Sequence, residues 1–211
     1  MEPCNSIYTG RNESVQQIVD EGVDINGDQD GSVLLDAASR GNTDIVQLLL
    51  QNGADVNIQG GEYGSALQAA AFEGNTDIVQ LLLQNGADVS ALGGWYGNSL
   101  RAASFKGHTE IVQLLLQKST DVNALGGYYR NALQAAASRG YTKILQLLLQ
   151  NGADINAQGS SEGRTPLHLA VEVGATSVIT NILEENALPD KLDKGHETRS
   201  NLRSGSVITK L

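Results

Sequence analysis

At 211 residues the chain is long enough for one large domain or two small ones, and its net charge of −10 argues against the basic face that nucleic-acid binding requires. A single cysteine, Cys4, cannot close an internal disulfide and suits a reducing compartment. Met1-Glu2-Pro3 is no secretory leader and no apolar run reaches the length of a membrane span, so the expectation is a soluble intracellular, cytoplasmic protein.

In chain order, residues 1–28 read as a degenerate first unit. Ser14 to Asn26 follows the pattern of a helix and its terminal loop, with polar residues where later copies are apolar, as a terminal unit with one unpartnered face requires. The pattern becomes plain at Gly41-Asn42-Thr43-Asp44-Ile45-Val46-Gln47-Leu48-Leu49-Leu50-Gln51-Asn52-Gly53-Ala54-Asp55-Val56 and returns from Gly74, Gly107 and Gly140, with a worn copy from Gly174. These lead glycines are spaced 33, 33, 33 and 34 residues apart, a period that defines a stacked repeat array. The units are set at 29–61, 62–94, 95–127, 128–160 and 161–192, followed by a mildly basic tail at 193–211 that carries no repeat pattern.

Each copy has one grammar. Thr43, Thr76, Thr109 and Thr142 are placed to cap a helix, and Asp44, Asp77 and Glu110 complement its positive end. Ile45, Val46, Leu48, Leu49 and Leu50 cover more than half of the circumference, so this longer helix is expected to be packed on two sides. Gly53, Gly86 and Gly152, and Asn186 in the last copy, sit where the chain leaves the helix in the left-handed region; Ser119 departs. Upstream of each lead glycine lies a shorter apolar segment, with runs such as Ala69-Ala70-Ala71 and Ala135-Ala136-Ala137 that allow close helix approach.

Gly53-Ala54-Asp55-Val56-Asn57, its copies, and Thr165-Pro166-Leu167-His168-Leu169-Ala170 resemble the ankyrin repeat over about residues 29–190. The middle copies replace Thr-Pro-Leu-His with Ser65-Ala66-Leu67-Gln68, Asn98-Ser99-Leu100-Arg101 and Asn131-Ala132-Leu133-Gln134, which keeps a helix cap but removes the Thr-to-His hydrogen-bond network. Their glycine- and tyrosine-rich loops are similar to those of long fungal ankyrin arrays. The resemblance implies an all-α solenoid of helix-turn-helix units joined by glycine-rich hairpin loops, and a non-catalytic module that binds a protein on the concave face of loop tips and short helices.

Two registers carry the candidate site. Glu62, Trp95 and Tyr128 change chemistry from copy to copy at the loop tip, as do Phe72-Glu73, Phe105-Lys106 and Ser138-Arg139 at the end of the short helix. Tyr63, Tyr96 and Tyr129 repeat without change and read first as loop packing. Of nine aromatic residues in the chain, seven fall in these two registers, and Arg101, Lys106, Arg130 and Arg139 lie among them. The set Glu62, Phe72, Glu73, Trp95, Tyr96, Arg101, Phe105, Lys106, Tyr128, Arg130 and Arg139 is therefore expected to form a mixed aromatic and basic patch that recognises a protein partner, with the array monomeric. The other reading makes the array a regulatory or targeting fragment of a larger protein. His108, His168 and His196 occupy separate registers and make no metal site, the glycine pairs precede no phosphate-binding turn, and no cofactor is expected.

Overall fold

The computed structural model describes residues 25–26, 33–118, 120–126, 131–159 and 163–185. The expectations for the first unit before Ile25, for Ser119, Tyr128, Tyr129, Arg130 and Asn186, and for the tail fall outside the described residues.

Among the described residues five helix pairs follow one another: α1 (Val33–Ser39) with α2 (Thr43–Gln51), α3 (Ala66–Glu73) with α4 (Thr76–Gln84), α5 (Ser99–Lys106) with α6 (Thr109–Gln117), α7 (Ala132–Arg139) with α8 (Thr142–Gln150), and α9 (Pro166–Glu172) with α10 (Thr176–Glu184). Each short helix packs on its own long helix and on the short helices of the adjoining pairs, while the long helices touch their neighbours more lightly. One continuous core runs the length of the array, from Leu34 through Leu67, Leu100 and Leu133 to Ile182. The hairpin loop before α3 pairs β1 (Gln59–Gly60) antiparallel to β2 (Gly64–Ser65), and among the described residues the later loops hold the bridges Gly93 to Gly97 and Gly159 to Arg164.

The burial of the two helix types reverses the emphasis of the sequence. In α4 only Ile78, Val79 and Leu82 are fully buried, with Leu81 and Leu83 half-buried against the core. In α3 six consecutive residues, Ala66 to Ala71, are buried, so the short helix is the one enclosed all round. Alanine makes this possible, since a methyl side chain lets short helices approach on both flanks without leaving voids.

Caps differ from expectation in one respect. Thr43, Thr76, Thr109 and Thr142 are the first residues inside the long helices, and the cap position before them makes no side-chain cap bond. The side chain at that position reaches instead to the preceding repeat: Asn75 Nδ2 donates to the carbonyls of Ala38 (2.8 Å) and Ser39 (3.2 Å), and His108 Nε2 lies 2.9 Å from the Phe72 carbonyl. These carbonyls end the neighbouring short helix, so one side chain satisfies acceptors that helix leaves open. At the short helices the expected caps form, with Ser65 Oγ, Asn98 Oδ1 and Asn131 Oδ1 accepting from the third helical N–H. Gly53, Gly86 and Gly152 have φ of 86°, 85° and 85°, as the left-handed exit requires, and the lead glycines Gly74 and Gly107 adopt 86° and 89°.

Candidate functional site

Nor does the loss of Thr-Pro-Leu-His leave the middle loops untied. In the last pair, Thr165 N–H donates to His168 Nδ1 (3.3 Å) and His168 N–H donates to Thr165 Oγ1 (3.4 Å), a reciprocal capping box. Gln68, in the histidine's register, spans to the following loop, with Nε2 donating to the carbonyls of Ala91 (3.5 Å), Gly93 (3.2 Å) and Gly97 (3.1 Å). Gln134 repeats this with Ala157 (3.1 Å) and Arg164 (2.9 Å). In Gln68 and Gln134 the primary amide reaches the loop of the following repeat, so this register ties adjacent repeats together in the middle of the array.

Arg101 holds the same register and corrects the expectation that it lies on the surface. It is buried, 2% exposed, with Nη2 donating to the Trp95 carbonyl at 2.9 Å and the guanidinium 5.9 Å from the Tyr96 ring centroid. Nε and Nη1 have no hydrogen-bond partner among the described residues, and burial pushes the guanidinium pKa down to about 10. Arg101 therefore holds the Trp95 loop from beneath.

The other predicted residues within the described regions come together along one edge. Tyr63 and Phe72 meet edge-on at 5.7 Å, Phe72 and Tyr96 lie 4.2 Å apart, and Tyr96 and Phe105 lie 5.7 Å apart. Tyr63 and Tyr96 thus contact one another through Phe72, which ends a short helix, and Phe105 extends the ladder, which covers two repeats. All four rings are half-buried. Lys106 Nζ stands 4.3 Å over Phe72 and Arg139 4.2 Å over Phe105, each cation placed on a ring of the preceding repeat. Tyr63 donates its hydroxyl proton to Glu73 Oε1 at 2.7 Å, and burial together with that carboxylate pushes its pKa up to about 12. Burial also raises the Tyr96 pKa, partly opposed by Arg101.

Trp95 alone of these rings stands free of the ladder. It is 68% exposed at the loop tip, its backbone N–H donating to the carbonyl of Glu62, itself exposed, in the preceding tip at 2.9 Å. Sequence reasoning missed two companions, Leu92 and Leu125, which are 55% and 57% exposed on the hairpin loops. Their register holds Gln59 and Gln158 in the flanking copies, and that polar-to-apolar change was the signal available.

Among the described residues no group of three His, Cys, Asp or Glu side chains could hold a metal ion, and no helix is long and apolar enough to cross a membrane. What the geometry offers among the described residues is an edge braced by packed rings.

Paired helices at a 33-residue period, enclosed short helices and projecting hairpins define a helical repeat solenoid. The family model described as Ankyrin repeats (3 copies) matches residues 4–92 and 99–193, and the chain belongs to the ankyrin-repeat family. No curated protein sequence matches it significantly. Ankyrin repeats are in general protein–protein interaction modules and are typically non-catalytic.

Proposed function

We propose that this array is a non-catalytic adaptor, scaffold or inhibitor, acting as a cytoplasmic monomer that captures a protein partner on its loop tips and short helices. The observation that carries the reading is a contrast among the loop and short-helix residues: four rings are packed in a ladder, whereas Trp95 is exposed at its loop tip, with Leu92 exposed on the same loop and Leu125 on the next. Nothing in the fold requires apolar residues there, since the same registers accept Glu62, Gln59 and Gln158 in other copies. Exposed aromatic and aliphatic anchors on a rigid base are the chemistry of interface hot spots, and a surface already fixed by packing loses little entropy on binding.

The test uses residues the array itself tolerates. Leu92→Gln, Trp95→Glu and Leu125→Gln place in the central loops what flanking copies hold. The intact chain and this triple variant, matched for helicity and melting, are presented to lysate of the source cell. A protein retained by the intact chain and bound at least about tenfold more weakly by the variant supports the reading. Equal retention by both chains refutes it.

A further inference from the structure

The residue preceding the lead glycine is Arg40, Glu73, Lys106 and Arg139 in successive repeats. Toward the ends of the array, charges on the short-helix edge are neutralised locally: Arg40 Nε lies 3.0 Å from Asp36 Oδ1, and in the last repeat Arg164 Nη1 lies 2.6 Å from Glu172 Oε2. In the middle the pattern changes. Glu73, Lys106 and Arg139 are exposed and have no ion pair among the described residues. Glu73 accepts only the Tyr63 hydroxyl, and the two cations rest on aromatic faces that hold their head groups in place without cancelling their charge. Glu62 adds a second exposed carboxylate beside Glu73, and Trp95 follows one repeat on. Along the array the edge therefore reads acidic in the 62–94 repeat, apolar and basic in the 95–127 repeat, and basic in the 128–160 repeat.

Resting on the protein-binding reading above, we infer that this edge selects a protein segment of opposite charge order, with a basic residue at Glu62 and Glu73, an apolar side chain on Trp95, and acidic residues over Lys106 and Arg139. Charge complementarity fixes how the segment lies. Neighbouring short helices pack about 10 Å apart and an extended chain rises about 3.3 Å per residue, so each repeat spans about three partner residues. The nearer acid then follows the base by about three residues and the farther one by about six, read in either chain direction.

Phage-displayed random peptides of about twelve residues, long enough to cross three repeats, are selected on the full chain and on Glu73→Lys/Lys106→Glu/Arg139→Glu. All three sites are exposed, and thermal melts are run to check that the variants fold. The expected result is enrichment of peptides with that spacing of base and acids on the native chain, and of the reversed pattern on the variant. A synthetic consensus peptide is expected to bind about tenfold or more weakly to Lys106→Gln/Arg139→Gln, and to weaken with salt on the native chain. Enriched peptides that depend on Trp95 but show no charge order overturn this inference and leave the protein-binding reading standing. Absence of enrichment, or enriched peptides indifferent to both Trp95→Glu and the charge reversal, overturns this inference and counts against the edge itself. Concentration-dependent dimerisation of the native chain in sedimentation, abolished by the reversal, assigns the edge to a second copy and likewise overturns it.

Discussion

Replacing Arg101 by the glutamine found at the same register in Gln68 and Gln134 is expected to stabilise the protein. Arg101 is 2% exposed and leaves Nε and Nη1 without hydrogen-bond partners among the described residues. Each buried unpaired donor costs about 1 kcal/mol at the low end of the usual range, so removing both recovers about 2 kcal/mol. The change forfeits a charge-assisted bond to the Trp95 carbonyl, about 2 kcal/mol. It gains two amide bonds to the next loop of the kind Gln134 makes to Ala157 and Arg164, about 1 kcal/mol each. The amide oxygen is buried without a hydrogen-bond partner in both Gln68 and Gln134, which costs about 1 kcal/mol, so the balance is about 1 kcal/mol in favour of Arg101→Gln, a rise in Tm of about 2–4 °C at this chain length. Urea unfolding at neutral pH, alongside a thermal scan, measures it. The alkaline limb supplies a second reading with a definite sign. Because burial lowers the folded-state pKa of Arg101 to about 10, the folded protein releases this proton before the unfolded chain does, and stability rises with pH above that value. The advantage of Arg101→Gln should therefore shrink as pH climbs beyond about 10. A variant less stable than the parent would show that the guanidinium is well solvated or paired, and would refute the reasoning.

Tyr63 gives the opposite alkaline sign. Its folded-state pKa of about 12 exceeds its unfolded value of 10.0, so its protonated phenol stabilises the fold below 10 and that contribution is lost as pH rises through 12. Tyr63→Phe should flatten the fall in urea midpoint between pH 10 and 12 relative to the parent. Glycine substitutions separate strain from collision. At Gly53, φ is 86° with open space around a new Cβ, so Gly53→Ala should cost about 1 kcal/mol. A Cβ on Gly94 would overlap the backbone of Tyr63 in the preceding loop, so Gly94→Ala should cost more than about 3 kcal/mol or splay the loops, read by urea midpoints and by loss of Tyr63 protection. Ser90→Asn should raise stability by about 1 kcal/mol in the same assay, by restoring a link between repeats that the neighbouring copies make.

That last link shows where the sequence was legible and where it was not. The period, the helix pairs and the left-handed exits at Gly53, Gly86 and Gly152 follow from local rules acting within one repeat, and those rules are readable one copy at a time. The roles of Asn75, His108, Gln68 and Gln134 are settled by the copy next door, across 23 to 37 residues, and periodicity alone does not say which neighbour a side chain reaches. Arg101 was misread for this reason: its position among aromatic and basic residues suggested a surface, while its register, shared with two buried glutamines, already placed it inside. Trp95 was legible because its register tolerates Glu62, and Leu92 and Leu125 could have been found by the same comparison. Applied to the far side of the loops, that comparison isolates one joint. Asn57 Oδ1 accepts from Asp88 N–H at 2.8 Å while its Nδ2 donates to Gly86, and Asn123 does the same with Asp154 and Gly152. Ser90 is too short to span and turns back on Asp88, with Oγ donating to Oδ1 at 2.6 Å. In the facing loop, Thr120 Oγ1 donates to the Leu115 carbonyl at 2.7 Å, the acceptor register that the Ala54, Ala87 and Ala153 backbone N–H groups serve in other copies. Two departures from the repeat therefore fall at the junction of the third and fourth units. Coupling between repeats is a sum of nearest-neighbour terms, so weakening this one lowers the cooperativity of the whole array most at its centre, beside the edge proposed to bind.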